Sequence, residues 1–220
     1  MTFDLFDALP ADPGASLATE TLAPGAMVLR GIARDPGPQL LASVAEVSAG
    51  SPFRHLITPG GLRMSVAMTN CGERGWVSDR TGYRYDPLDP DSGLPWPAMP
   101  DVFRKLAADA AAAAGYPGFA PDACLINRYL PGTRLSLHQD RDELDLRAPI
   151  VSVSLGLPAI FLWGGLRRAD RPDRVRLAHG DVVVWGGPSR LVFHGIAPLA
   201  AGDHALTGSE RINLTFRKTR

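Results

Sequence analysis

The second half of this chain consists of short apolar runs separated by proline and glycine turns. The runs are rich in valine, isoleucine, leucine and aromatic residues, which favours strands over helices. Strands are predicted at residues 123–130, 134–140, 150–157, 160–164, 175–177, 182–185, 191–194 and 211–217. About eight short strands after helical segments predict a mainly β protein with flanking helices, whose core is a double-stranded β-helix, or jelly roll.

Two helices are predicted before these strands. Residues 39–47 carry leucine and valine at helical spacing, and this helix is expected to end near Gly50. The second helix is expected to start with Asp101 as its N-cap, to run to Ala114 and to stop at Gly115. Both helices are predicted to support the core.

A histidine and an aspartate stand two positions apart in the segment Leu-Ser-Leu-His-Gln-Asp, as His138 and Asp140. On an extended strand they point to one face, so a third ligand must come from a distant strand, where His194 is the candidate. Two imidazoles and one carboxylate form the facial triad that holds Fe(II) and leaves positions open for a cosubstrate and dioxygen. A closed zinc site would need a fourth protein ligand. H-x-D with a later histidine is common by chance, so the prediction of this Fe(II) site needs further support.

The C-terminal run 211–217 alternates between two kinds of residue. One face carries Ile212, Leu214 and Phe216, and the other carries Arg211, Asn213, Thr215 and Arg217. On a surface strand the arginine face would be exposed to solvent. In a β-barrel that encloses a ligand it can line the interior, where two guanidinium groups suit a dicarboxylate. Together with the triad, this strand indicates a 2-oxoglutarate-dependent oxygenase.

Longer stretches resemble the AlkB family of DNA-repair dioxygenases over about residues 51–218. They include Asp-Ala-Cys-Leu-Ile-Asn-Arg-Tyr at 122–129, Ala-Pro-Ile-Val-Ser-Val-Ser-Leu-Gly-Leu-Pro at 148–158, and the segments 58–61, 64–72, 96–100, 135–140 and 179–185. The H-x-D…H and R-x5-R patterns alone indicate only the wider superfamily. The expected substrate class therefore rests on the longer stretches.

The resemblance implies two sets of binding residues. The set for 2-oxoglutarate is Asn127, Tyr129, Arg211, Asn213 and Arg217, although a core tyrosine is the ordinary alternative for Tyr129. The set for the substrate is Trp76, Tyr83, Met68, Leu135, Asp142, Ser152 and Arg168. A flipped base is expected to stack between Trp76 and His138, with Asp142 reaching the base and Tyr83 holding the backbone. The others would form the wall and edge of the pocket, although Met68, Leu135 and Ser152 could equally be core.

The implied reaction is oxidative demethylation of 1-methyladenine and 3-methylcytosine in DNA, preferably single-stranded, as direct reversal of alkylation damage. RNA is a further candidate substrate. The reaction would use Fe(II), 2-oxoglutarate and O2, with ascorbate as a candidate stimulant, and would release formaldehyde, succinate and CO2. A methyl group on the pairing edge of a base is hidden in a duplex, so the nucleotide must be flipped out or already single-stranded.

Composition limits where and how such a protein acts. The formal net charge is +0, so any DNA contact must be local, at arginine-rich segments such as 54–84 and 167–176. No run approaches the roughly 18 apolar residues of a membrane span, and the N-terminus lacks a basic, apolar signal sequence. A cytoplasmic monomer without membrane contact is expected.

Three regions are predicted along the chain. Residues 1–50 would form an N-terminal extension with a supporting helix, whose first dozen or so residues are expected to be loose. Residues 51–97 carry aromatic residues and arginines in short extended pieces, which could be ordinary hairpins with buried aromatics. Their place before the barrel and the resemblance favour a nucleotide-recognition lid, with residues 98–220 as the dioxygenase core. Two alternatives remain open: an oxygenase of the same fold that acts on RNA, protein or a small molecule, and a cupin-like metal-binding module without turnover.

Overall fold

The computed structural model describes residues 18–220, and the N-terminal residues expected to be loose lie outside this range. Its elements in chain order are β1 (Thr19–Ala23), β2 (Ala26–Leu29), α1 (Gly37–Gly50), β3 (Ala67–Gly72), β4 (Gly75–Asp79), β5 (Gly82–Asp86), α2 (Asp101–Ala113), β6 (Ala123–Tyr129), β7 (Leu135–His138), β8 (Ile150–Gly156), β9 (Ala159–Trp163), β10 (Asp173–Leu177), β11 (Val182–Trp185), a 3-10 turn (Gly187–Ser189), β12 (His194–Ile196) and β13 (Arg211–Arg217). None of the helices in this range is long and apolar enough to cross a membrane.

The strands form two antiparallel sheets and a separate hairpin. The large sheet has the order β1-β2-β11-β8-β13-β6-β3, and the small sheet has the order β10-β9-β12-β7. Residues of both sheets pack into one buried cluster, in which Phe161 and Trp163 of the small sheet contact Trp185 of the large one. This mostly β arrangement with two helices confirms the predicted jelly roll.

The alternation of side chains along the large sheet explains which face encloses the site. On β13, Ile212, Leu214 and Phe216 pack with both helices in a second cluster, where the rings of Phe216 and Phe103 of α2 lie 5.9 Å apart. Successive residues of a strand point to opposite faces, so the polar residues of β13 must face the small sheet. The helices therefore cover one face of the large sheet, and the other face lines the interior between the sheets.

The helices agree with the prediction except at their N-terminal ends. The α1 helix begins at Gly37, two residues before the predicted start, and it buries Leu40, Val44 and Val47. The prediction that Asp101 caps α2 is wrong, because Asp101 is the first helical residue and Pro100 occupies the N-cap. The extended Pro100 supplies its carbonyl oxygen to the amides of Phe103 and Arg104, and no side chain caps this end.

The strand predictions differ from the structure in the N-terminal half of the chain and just before β12. The strands β1 and β2 were not predicted, and β2 joins the large sheet by pairing with β11. β3 lies within residues 51–97 but pairs with β6 in the large sheet. The predicted strand 191–194 is wrong over its first three residues, because the chain makes a turn there and β12 begins only at His194. In that turn the Val192 amide donates to the Ser189 carbonyl oxygen at 3.1 Å.

Candidate metal centre and active-site cavity

A cavity of about 760 Å³ lies between the two sheets, and all fifteen residues that the sequence proposed for the site line it. They are Met68, Trp76, Tyr83, Asn127, Tyr129, Leu135, His138, Asp140, Asp142, Ser152, Arg168, His194, Arg211, Asn213 and Arg217. The fold thus brings these side chains together from β3, the β4–β5 hairpin, both sheets and the loop after β7. Their individual roles in binding remain predictions.

The three predicted metal ligands meet at the ends of two paired strands. His138, the last residue of β7, is the register partner of His194, the first residue of β12, and their rings lie 4.4 Å apart. Asp140 follows two residues beyond the end of β7, and its carboxylate oxygens lie 3.7 Å from Nε2 of each histidine. One ligand atom from each of the three residues lies within 4.8 Å of the others.

The donor atoms of this cluster fit a divalent metal such as Fe(II). Nδ1 of His138 faces the Ser136 carbonyl oxygen at 2.8 Å, and Nδ1 of His194 faces the Val192 carbonyl oxygen at 3.0 Å. A carbonyl oxygen only accepts, so each Nδ1 carries the proton and each Nε2 keeps its lone pair for a metal. Three protein ligands leave open positions for a chelating cosubstrate and dioxygen.

Burial and the neighbouring charges keep His194 neutral and Asp140 ionised at neutral pH. Burial and the neighbouring His138 lower the pKa of His194 to about 4. Burial would raise the pKa of Asp140, but Arg217 and the two histidines outweigh it and hold this pKa well below its usual range. Neutral imidazoles and an ionised carboxylate are the forms that bind a metal ion.

The two arginines of β13 both face the interior, but they lie at opposite ends of it. Arg217 donates to Oδ2 of Asp140 from Nη2 at 2.6 Å and from Nε at 3.1 Å. Arg211 donates to Ser154 Oγ at 3.0 Å, and its guanidinium lies 5.0 Å from the centre of the Tyr129 ring. Six residues of strand separate their backbones by about 20 Å. Arg217 therefore belongs to the end of the interior that holds the metal ligands, and Arg211 belongs to the other end.

Arg211 retains hydrogen-bonding capacity that the fold does not use. Its side chain is fully buried, yet Nε and Nη1 have no hydrogen-bond partner among residues 18–220. Burial lowers the pKa of this guanidinium. A buried charged group with unused donors fits an anionic ligand such as the distal carboxylate of 2-oxoglutarate.

Asn213 is already engaged by its neighbours in the interior. Its amide nitrogen donates to Ser152 Oγ at 2.8 Å and to the Val153 carbonyl oxygen at 2.9 Å. Its amide oxygen accepts from Asn127 at 3.2 Å and from Thr215 at 2.9 Å. The Asn127 amide oxygen is buried and has no protein partner within the described range. These contacts fix both amides on the cavity wall, where a bound ligand would meet them.

The hairpin contributes an aromatic wall to the cavity. The rings of Trp76 on β4 and Tyr83 on β5 are stacked at 5.5 Å with an interplanar angle of 13°. The Trp76 indole nitrogen donates to Oδ2 of Asp142 at 2.9 Å. Asp142 is thus bound to the aromatic wall, whereas Arg147 pairs with Asp145.

The other proposed substrate residues lie at different depths of the same cavity. Met68 and Ser152 are buried, and Leu135 is partly buried. Arg168 is exposed, with its guanidinium 5.2 Å from the centre of the Phe193 ring. Leu135 and Met68 therefore belong to the wall of the cavity, and Arg168 belongs to its edge.

Sequence reasoning missed a buried charged group beside the metal ligands. Glu143 accepts from Tyr85 Oη at 2.6 Å and from Arg190 Nη2 at 3.0 Å, and it lies 3.3 Å from Arg217 Nε. Its side chain is only 1% exposed. A glutamate in a charged loop normally indicates an exposed position, and its closeness to the H-x-D motif was the only available signal.

Comparisons with known proteins agree with this site. The family model described as "2OG-Fe(II) oxygenase superfamily" matches residues 25–217. The Alpha-ketoglutarate-dependent dioxygenase AlkB of Escherichia coli (strain K12) is 62% identical over 90% of this chain and 92% of its own length. The DNA N(6)-methyladenine demethylase ALKBH1D of Arabidopsis thaliana is 41% identical over 46% of this chain and 25% of its own.

Among solved structures, OsALKBH1 superposes with a TM-score of 0.82 at 30% identity, covering 91% of this chain and all of that one. Fold, ligand set and sequence similarity thus agree over nearly the whole described chain. This protein belongs to the 2OG-Fe(II) oxygenase superfamily and, within it, to the AlkB family of α-ketoglutarate-dependent dioxygenases, which use Fe(II), 2-oxoglutarate and O2.

Proposed function

We propose that this dioxygenase removes methyl groups from 1-methyladenine and 3-methylcytosine in DNA, preferably single-stranded, and so reverses alkylation damage directly. The observation that carries the proposal is the hydrogen-bonded pair of Trp76 and Asp142, which lines the same cavity as the metal ligands. An indole face offers a stacking surface for a base, and a carboxylate offers an acceptor for its exocyclic amine. The Arabidopsis relative is itself named as a DNA demethylase.

The residues of the chain divide the work of this reaction. His138, Asp140 and His194 hold the metal, and Arg211 offers its unused donors to the distal carboxylate of 2-oxoglutarate. When bound, Fe(II) with 2-oxoglutarate and dioxygen supplies the oxidant that hydroxylates the methyl group, leaving succinate and CO2. The resulting N-hydroxymethyl group leaves as formaldehyde, which restores the base. The protein has to place the methyl group beside the metal and exclude water.

The charge of the substrate gives Trp76 and Asp142 a specific role. Methylation at N1 of adenine or N3 of cytosine leaves the base positively charged near neutral pH, whereas 1-methylguanine and 3-methylthymine are neutral. A cation over an indole face gains about 0.5–2 kcal/mol, and a charge-assisted hydrogen bond to a carboxylate adds to this. Oδ2 of Asp142 is bound to Trp76, which leaves Oδ1 for a donor on the base. Preference should therefore go to the two cationic lesions.

Formaldehyde release from oligonucleotides that carry each of the four lesions tests this proposal. The variant Asp142→Asn keeps an acceptor for the Trp76 indole but removes the charge, and Asp145→Asn, whose carboxylate pairs with Arg147, is the matched control. Asp142→Asn should lose about 1–2 kcal/mol of transition-state stabilisation on the cationic lesions alone. This corresponds to a kcat/KM about 5- to 30-fold lower. Equal losses on all four lesions would reject selection by charge. No formaldehyde from any of them would reject the demethylase proposal.

The same assay with methylated RNA shows whether DNA or RNA is the preferred substrate. At a given sequence the two differ only in the 2′-hydroxyl group and in thymine.

We also propose that the protein works as a monomer in the cytoplasm, without membrane contact. Residues 51–97 would serve as the nucleotide-recognition lid, 98–220 as the catalytic core and 1–50 as a supporting extension. In support, Trp76 and Tyr83 lie on a two-stranded hairpin that pairs with neither larger sheet in the described chain. Light scattering of the protein with and without oligonucleotide tests the monomer.

A further inference from the structure

The β4–β5 hairpin is fastened to the loop that follows the metal ligand Asp140. Trp76 and Tyr85 are direct register partners across the hairpin, so their side chains lie on the same face. They donate hydrogen bonds to two consecutive carboxylates, Trp76 to Asp142 at 2.9 Å and Tyr85 to Glu143 at 2.6 Å. Any displacement of this face of the hairpin must break or stretch both bonds.

Glu143 carries the hairpin contact further into the protein. Its Oε2 accepts from Arg190 at 3.0 Å, and its Oε1 lies 3.3 Å from Nε of Arg217. Arg190 donates to the main-chain oxygen of Asp140 at 2.6 Å, and Arg217 donates to the Asp140 carboxylate. Both arginines that contact Glu143 therefore also hold Asp140, one through its backbone and one through its side chain.

We propose that Glu143 is a positioning residue that couples the hairpin to the metal site. The Tyr85 hydroxyl fixes the orientation of the Glu143 carboxylate, and this carboxylate fixes Arg190 and Arg217 around Asp140. When the hairpin contact is lost, Glu143 is free to turn towards the arginines, and Asp140 loses its defined position. The coupling involves only the metal and 2-oxoglutarate site, so it goes beyond the proposed nucleobase substrate and does not depend on it.

The environment makes the coupling strong enough to measure. The Glu143 carboxylate and the Arg190 and Arg217 guanidinium groups are all less than a tenth exposed, so their hydrogen bonds act in a low local dielectric. Charge-assisted bonds in such networks are about twice as strong as neutral ones. Coupling between two sites is also reciprocal: a hairpin contact that strengthens ligand binding is itself strengthened by the ligand, by the same factor.

A purely structural role is the alternative, in which Glu143 only balances the charges of two buried arginines. Its replacement would then lower the melting temperature but leave the affinity of the metal site unchanged. Asp181 gives a matched comparison, because it is a buried carboxylate that pairs with Arg30 and does not line the cavity. Tyr116 gives the matched comparison for Tyr85, because its hydroxyl donates to the Gly25 carbonyl oxygen at 2.8 Å and it too lies outside the cavity lining.

The experiment measures binding of Mn(II) with 2-oxoglutarate by calorimetry, without nucleic acid, together with hydrogen exchange of residues 75–86. We expect Tyr85→Phe to weaken binding about 5- to 10-fold, within the usual range of coupling factors, and Glu143→Gln to weaken it at least as much. In the wild type, adding Mn(II) and 2-oxoglutarate should slow exchange in the hairpin, and in Tyr85→Phe this protection should be lost. Tyr116→Phe and Asp181→Asn should bind as the wild type does.

The double variant of Tyr85 and Glu143 completes the test. If both residues act through one link, the double variant should bind no more weakly than Glu143→Gln alone. Additive losses, or wild-type affinity and hairpin protection in Tyr85→Phe, would overturn the proposal. Tyr85→Phe removes a single hydroxyl, so the test holds even if Glu143→Gln does not fold. Since no base is present, the outcome is separate from that of the demethylation assay.

Discussion

Replacing Arg211 by methionine should stabilise the ligand-free protein while it destroys 2-oxoglutarate binding. Arg211 is 0% exposed, and two of its three nitrogen atoms have no partner in the described chain. A buried donor without a partner costs about 1–3 kcal/mol. Its other contacts are a hydrogen bond to Ser154 and the face of the Tyr129 ring, which only partly offset this cost.

The expected gain follows from buried charges in other proteins. Exchanging a buried charged group for an apolar side chain of similar size is often neutral or stabilises by about 1–4 kcal/mol. Allowing for the lost Ser154 contact, we expect Arg211→Met to gain about 1–3 kcal/mol. For a chain of this length each 1 kcal/mol shifts the melting temperature by about 2–4 °C, so the ligand-free variant should melt about 2–12 °C higher.

Thermal unfolding with and without Mn(II) and 2-oxoglutarate checks both parts of this prediction. In the presence of Mn(II), 2-oxoglutarate at 100 times its Kd stabilises the wild type by about 2.7 kcal/mol more, and Arg211→Met should show no further shift when 2-oxoglutarate is added. Arg128→Met is the control, because Arg128 follows Asn127 on β6 but stacks on Phe53, outside the cavity lining. A variant that melts lower without ligand, yet keeps the full 2-oxoglutarate shift, would refute the reasoning.

Three further predictions concern two metal ligands and a buried carboxylate. His138→Ala should abolish Mn(II) binding, measured by calorimetry, with little change in the melting temperature of the metal-free protein, because the His138 side chain is 33% exposed. Asp140→Ala should also abolish Mn(II) binding. It should in addition lower the free energy of unfolding by about 3 kcal/mol, because the buried Arg217 loses its closest carboxylate. Equal melting temperatures for His138→Ala and Asp140→Ala would contradict this difference in stability. Burial would raise the pKa of Asp89, but its bonds to Arg54 lower it from 3.8 to about 2, a stabilisation of about 2 kcal/mol. Because the pKa of Asp89 is lower in the folded state than in the unfolded state, this contribution is present above pH 3.8 and is lost as the pH falls through 2. The free energies of unfolding in urea of Asp89→Asn and the wild type should therefore differ at pH 7 and converge near pH 2.

The two faces of β13 could be predicted because their pattern depends only on strand geometry. Alternation by two residues places Leu214 and Phe216 under the helices and Arg211 in the interior, whatever the partner strands are. The metal ligands followed from the spacing of His138 and Asp140, although β7 ends at His138 and Asp140 reaches the site from the loop beyond it.

Other features depend on contacts that no local pattern records. The strand β2 has only four residues, and it becomes part of the large sheet through pairing with β11 more than 150 residues later. The burial of Glu143 depends on Tyr85, 58 positions earlier, and on Arg190, 47 positions later. In an irregular loop neither helical nor strand periodicity applies, so composition alone predicts an exposed glutamate.

The two arginines of β13 differ in their charge partners: the fold supplies carboxylates to Arg217, whereas Arg211 has donors left for a ligand. Arg217 lies against Asp140 and near Glu143, and although burial lowers its pKa, these carboxylates raise it overall. Arg211 has no carboxylate within salt-bridge distance among residues 18–220, and burial leaves its pKa below the usual value. One end of the interior is therefore nearly neutral and fixed around the metal ligands, while the other is positive and lacks hydrogen-bond partners. We therefore expect an elongated dianion that chelates the metal with one end to gain most by placing its second carboxylate at Arg211, which would set the direction of 2-oxoglutarate in the cavity.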